Sequence, residues 1–269
     1  MIKQIKLKRE KTIEALDIEL TNKNIPKQTV IENQKIIRSI NDLYDTWDEL
    51  TVIIKERYKT GLGEYGGYDS PMGFLNAECY PTIEASIILA SQGYYRPAIS
   101  LLRCWFEDSL YGIYYNDHRV EFSRSLYEDE PQFWFMLNMS DFLKYLFKFP
   151  TFVKFDKELI KKRKKEKEKT LQIWMNNVYM ELSAYIHGRG VWRTEILNID
   201  LEEKPRKYNK KNFNYWHTVF WNVSCITTIS FILYNPKLLN KYPSKRKKIL
   251  EILDEDCIEI LTKNFGVKY

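Results

Sequence analysis

Arg103 and Glu107 stand four residues apart in an otherwise apolar and aromatic stretch, YYRPAISLLRCWFEDSLYGIYY at 94–115. That spacing places both on one face of a helix. A buried charge needs a partner, because removing it from water alone is costly. Glu107 is the nearest partner for Arg103. Arginine before glutamate is the weaker i, i+4 order, so a contact shared with another helix is expected. Arg96 lies seven residues before Arg103, Glu84 belongs to the same hairpin, and Asp108 falls on the adjacent face.

A second stretch, YMELSAYIHG at 179–188, carries Tyr179, Ser183 and His187 at intervals of four, so they form one stripe. His187 falls at the helix end before Gly188, where the dipole favours an imidazolium suited to acid or base work near neutral pH. Arg189 and Arg193 follow and are suited to holding a phosphate. A histidine, a tyrosine or serine hydroxyl, and arginines suit metal-independent RNA cleavage. The base takes the 2′-hydroxyl proton, and a guanidinium stabilises the charge on the phosphorane. Each residue also has a plainer role. An Arg–Glu pair ties helices, a histidine caps a helix end, a small Ser183 hydroxyl allows close helix contact, and Tyr179 packs.

The elements that must position these groups are helical. Gly (10) and Pro (9) are scarce in 269 residues, which favours long helices over a many-turned β fold. Apolar spacing of three and four predicts a surface helix over 5–20, a break at 22–26, and a long helix over 29–58 with Thr29 and Glu32 as a capping box. The glycine cluster at 59–72 lacks a preceding strand and the GKS/T ending of a phosphate loop, so it is a connection. Helices over 77–92 and 94–116 form a hairpin around Gly93. Further helices are predicted over 133–149, 156–186, 213–234 and 244–262, with a basic linker at 197–212. The reading is an all-α helical bundle. Residues 1–60 form an N-terminal helical extension and 74–269 the main domain, or all 269 residues form one domain.

Hydrophobic residues make up 44%, charged residues 29% and aromatic residues 15%, a globular composition with an aromatic core. The most apolar segment, 219–234, contains Asn222, Ser224, Thr227, Thr228 and Ser230 and is short for a bilayer span, so a buried core helix is expected and no membrane contact. The N-terminal residues are charged throughout, without a signal-peptide pattern. Four dispersed cysteines and three histidines give no zinc spacing. Cys104, Cys225 and Cys257 are expected as reduced core residues of a cytoplasmic protein, with no metal or cofactor.

Both stretches resemble the HEPN-like all-helical proteins of prokaryotic defence and toxin systems. The resemblance covers roughly residues 75–235. It rests on AISLLRCWFEDSLYGIYY, with Arg103 and Glu107, and on YMELSAYIHG, with Ser183 and His187. It implies a helical bundle that dimerises and either cleaves RNA without metal or serves as a binding or partner module. The active members' arginine, four to six residues before the histidine, is absent here. Arg103 would then supply the guanidinium from the other helix.

The net charge of +6 permits RNA binding without showing it. It is concentrated in runs. Lys161, Lys162 and Arg163 open KKRKKEKEK, and Lys207 lies in a second basic stretch, 204–211. Such patches contact phosphates and do not read bases. A third cluster, 245–248, places lysines at a helix start, which the dipole disfavours and an external anion would relieve. The functional readings are a metal-independent endoribonuclease of a defence or toxin–antitoxin system, or a non-catalytic RNA- or protein-binding module of the same fold. Expected partners are RNA, a second copy and a regulatory protein. A third reading, an enzyme for a small phosphorylated ligand, would use the glycine cluster as a lid.

Overall fold

The structure is a computed structural model that describes residues 24–58, 70–127, 139–163, 170–186 and 208–269. The described residues form eleven α-helices and no strand. They are α1 (Asn24–Glu32), α2 (Gln34–Arg57), α3 (Pro71–Ser91), α4 (Tyr95–Asp117), α5 (Arg119–Tyr127), α6 (Met139–Leu146), α7 (Pro150–Lys162), α8 (Leu171–Ile186), α9 (Lys210–Tyr234), α10 (Pro243–Glu251) and α11 (Glu255–Phe265).

Helix α9 is the axis of the bundle. Every side chain from Val223 to Leu233 is buried, as expected of a helix that is apolar all round. Its hydroxyls turn back onto their own helix: Thr227 donates to Val223 O at 2.9 Å and Ser230 to Ile226 O at 2.7 Å. Among the described residues α9 alone is long and apolar enough to cross a membrane, and 78% of that apolar window is buried in the bundle.

Around α9 the core is aromatic. Trp105 of α4 meets Trp47 of α2 edge-on at 5.3 Å and Phe220 of α9 at 5.2 Å, and Trp47 also lies 6.0 Å from Phe231. Helix α2 therefore shares one continuous core with α4 and α9.

Helices α3 and α4 form the expected hairpin. Ser70 caps α3 by accepting Gly73 N–H at 3.0 Å, and Gly93 makes the turn with φ of 85°. Gly112 lets α4 approach α3 closely, since a Cβ there would stand 3.3 Å from Met72 Cα.

Several boundaries differ from the sequence expectation. The long helix over 29–58 is two helices. Thr29 lies inside α1, and its hydroxyl donates to Ile25 O and Ser91 O instead of forming a capping box. At the α1–α2 break, Asn33 Nδ2 donates to Tyr208 Oη at 2.6 Å. The single helix over 156–186 is two helices, α7 and α8, that meet where α8 begins beside the middle of α7. Asp156 accepts Leu171 N–H at 2.6 Å, and Thr170 caps α8 through Ile173 N–H at 3.1 Å. The last helix also divides, because Asp254 caps α11 by accepting Cys257 N–H at 2.8 Å. Cys104 is exposed, contrary to expectation, while Cys79, Cys225 and Cys257 are buried.

Candidate functional site

Arg103 lies on the seam between α4 and α8. Its Nε donates to Glu107 Oε1 at 2.8 Å, and its Nη2 to Tyr179 Oη at 3.3 Å. Its Cζ stands 5.2 Å from the Tyr179 ring centroid, so the ring also meets the cation through its π face. The two charged side chains keep only 15% and 22% of their surface in solvent. Burial works against the Arg103 charge, but the hydrogen bond and charge of Glu107 outweigh it and hold the guanidinium above its ordinary range. Tyr111 is the next residue along the same α4 stripe. Burial and then the Glu107 charge raise its hydroxyl pKa, so it stays protonated.

The helix directions decide which predicted residues can cooperate. Contacts of α4 with α9 run in parallel, from Tyr95 with Asn209 through Trp105 with Phe220 to Asn116 with Tyr234. Contacts of α8 with α9 run antiparallel, from Trp174 with Asn222 to Glu181 with Tyr215. So α4 and α8 are antiparallel. Glu107 draws the guanidinium toward the N-terminal half of α8, away from its end at Ile186. Tyr179 and Ile186 are separated by about 10 Å of helix rise.

The structure thus joins Arg103, Glu107 and Tyr179. Ser183 lies one turn beyond Tyr179, its hydroxyl buried and without a hydrogen-bond partner among the described residues. His187, Arg189, Arg193 and Lys207 lie outside the described residues.

The described part of the first basic run is engaged within the fold. Arg163 meets Asp254 at 2.8 Å and Asp256 at 3.1 Å, and Lys162 pairs with Glu259. Lys161 pairs with Glu158 at 2.6 Å. A phosphate would compete with these carboxylates. Likewise Lys245, in the first turn of α10, pairs with Glu49 of α2, which supplies the anion expected there, and Lys248, in the last turn, pairs with Asp45.

Asp108 carries more weight than its sequence position indicated. Burial, followed by the negative charges of Glu107 and Glu78, pushes its carboxyl up to about 7. The folded state holds this proton where the unfolded chain releases it. Stability therefore falls as pH rises from the ordinary carboxyl range to about 7, and is flat above. Asp108→Asn is expected to raise stability by about 2 kcal/mol at pH 8 and to change little at pH 4. Thermal melts of both proteins at the two pH values check this.

A polar cluster that sequence reasoning missed closes the other end of α4. Asp117 accepts hydrogen bonds from Tyr145 and Tyr234, each at 2.6 Å, and Asn116 donates to Tyr234 Oη at 2.9 Å. His118 stacks on Tyr114 at 4.0 Å, with Nδ1 2.8 Å from Tyr114 O. A carboxylate at a helix C-terminus opposes the dipole. The two hydroxyls compensate and tie α4 to α6 and α9. An acid beside a histidine at a helix end was the available signal, but its tyrosine partners are remote in sequence. His217 meets Ser39 at 3.1 Å near the opposite end of α9, and burial lowers its pKa. His118 and His217 do not share a site.

No cluster of metal-ligating side chains occurs among the described residues. Comparison with protein-family models, curated proteins and solved structures finds no match to this chain.

Proposed function

We propose that the protein is a non-catalytic helical module of HEPN-like type that binds RNA through its phosphates. The observation that carries this reading is the commitment of Arg103. Its guanidinium is held by Glu107 and Tyr179. It is drawn away from the helix end that leads to His187, so it acts as a tie between α4 and α8. A guanidinium serving a phosphorane must be aimed at the reacting phosphate.

The RNA surface is assigned to the bundle end where α8 finishes and α9 begins. Lys210 is exposed in the first turn of α9, where a cation opposes the dipole and an external anion relieves it. Arg189, Arg193 and Lys207 belong to the segment joining the same two helix ends. The defence or toxin–antitoxin setting, a second copy and a regulatory protein partner rest on the sequence resemblance, and a cytoplasmic location on the dispersed cysteines.

Anisotropy titration of a labelled single-stranded RNA against salt tests the binding. Affinity is expected to fall with log salt at a slope of about −0.7 per phosphate contacted. The Lys210→Gln variant is expected to reduce the slope by about 0.7. An unchanged slope would remove this surface from the account.

A second reading, a metal-independent endoribonuclease, draws on one observation. The Ser183 hydroxyl, buried and without a hydrogen-bond partner among the described residues, lies on the stripe that leads to His187. A cleavage site would then gather at that helix end without Arg103.

A further inference from the structure

At the end of α9 remote from Lys210, a cavity of about 390 Å³ opens between the first turn of α7, the end of α9 and the end of α11. Small-molecule sites span roughly 300–1,000 Å³, so this one suits a small ligand. Its walls are mainly apolar and include Tyr234, Phe265 and Pro236. Among the described residues, the charged residues in the lining are Lys154 and Lys237, and no carboxylate lines it. Two further features make it a prepared site. Tyr234 is fixed by its bonds to Asp117 and Asn116, so that wall is held in place. Lys154 is anchored over Phe265 at 5.1 Å, with its ammonium donating to Asn264 O at 2.6 Å. Glu158, one turn along α7, pairs with Lys161 and also attracts Lys154, offsetting part of that lysine's charge; Lys237 supplies the rest.

We propose that this cavity binds a small ring-bearing organic anion of mononucleotide size. Its flat body rests against Tyr234, Phe265 and Pro236, and its acidic group faces Lys237 and Lys154. Both lysines are exposed, and Lys237, which is not anchored as Lys154 is, supplies the charge-assisted contact that a phosphate or carboxylate seeks. Thr151, in the first turn of α7, borders the same space. This site goes beyond RNA binding. Because it lies at the opposite end of α9, either assignment can fail without the other.

Isothermal titration of the full chain with UMP tests it, with uridine and inorganic phosphate as comparators. UMP is expected to bind at one site with submillimolar affinity and to exceed both comparators by about tenfold or more. Lys237→Ala is expected to weaken UMP about tenfold, the value of one charge-assisted hydrogen bond. Thr151→Phe, which fills the cavity from a partly exposed position, is expected to abolish binding. Thermal melts of both variants establish that they are folded. Absence of UMP binding by the wild type up to about 10 mM would overturn the proposal. So would equal affinity in the wild type and both folded variants.

Discussion

Arg103→Ala is expected to destabilise the fold by about 3 kcal/mol, because it strands Glu107 in a mostly buried position and removes the bond to Tyr179. The estimate stays below that for a fully buried pair, since both side chains keep some contact with water. Glu107→Ala is expected to cost about 2 kcal/mol through the stranded guanidinium. The double variant should be little worse than either single one, giving a coupling of about 2 kcal/mol in urea melts. Arg103→Lys should recover only part of the loss, because a single ammonium cannot reproduce the fork that reaches Glu107 and Tyr179 together. RNA affinity, measured where the variants remain folded, should not change. A catalytic arginine would behave differently: its loss would spare stability and remove activity.

The second large effect concerns α2. Trp47 is buried between Trp105 and Phe231. Trp47→Ala is expected to cost about 4 kcal/mol from lost contacts and the cavity left behind. The indole N–H has no hydrogen-bond partner among the described residues, so part of that cost is offset when it is removed. With domain stabilities of about 5–15 kcal/mol, this is a large fraction of the total. The melt should stay cooperative, with tryptophan fluorescence and helical circular dichroism shifting together. A variant in which most of the helix signal keeps the wild-type midpoint would show that the first sixty residues are a separate extension.

The helices carrying the central residues were legible because their signals are local. Apolar spacing and the flanking Gly93 and Pro236 mark α4 and α9, and the i, i+4 pairing of Arg103 with Glu107 follows from helix geometry alone. Helix breaks made by tertiary contacts were not legible. Nothing near Asp156 announces that it will accept a bond from Leu171 N–H, and the charged run between them contains no breaker. The break at Asn33 likewise depends on Tyr208, a residue 175 positions away. Tyr179 was placed correctly on its own stripe. Its role as the partner of Arg103 depends on how far α8 slides along α4, which no spacing within one helix records. The same holds for Lys162 and Arg163, whose basic run resembles an RNA surface until α11 presents its carboxylates.

The most direct test of the central claim is an RNA cleavage assay in EDTA, using structured RNAs with the wild type, His187→Ala and Arg103→Ala. EDTA silences contaminating metal-dependent nucleases. The account predicts that the wild type binds the RNA and leaves it intact at every protein concentration. Cleavage by the wild type that is lost in both folded variants would contradict it. Arg103 would then belong to a ribonuclease site and not to a tie between α4 and α8.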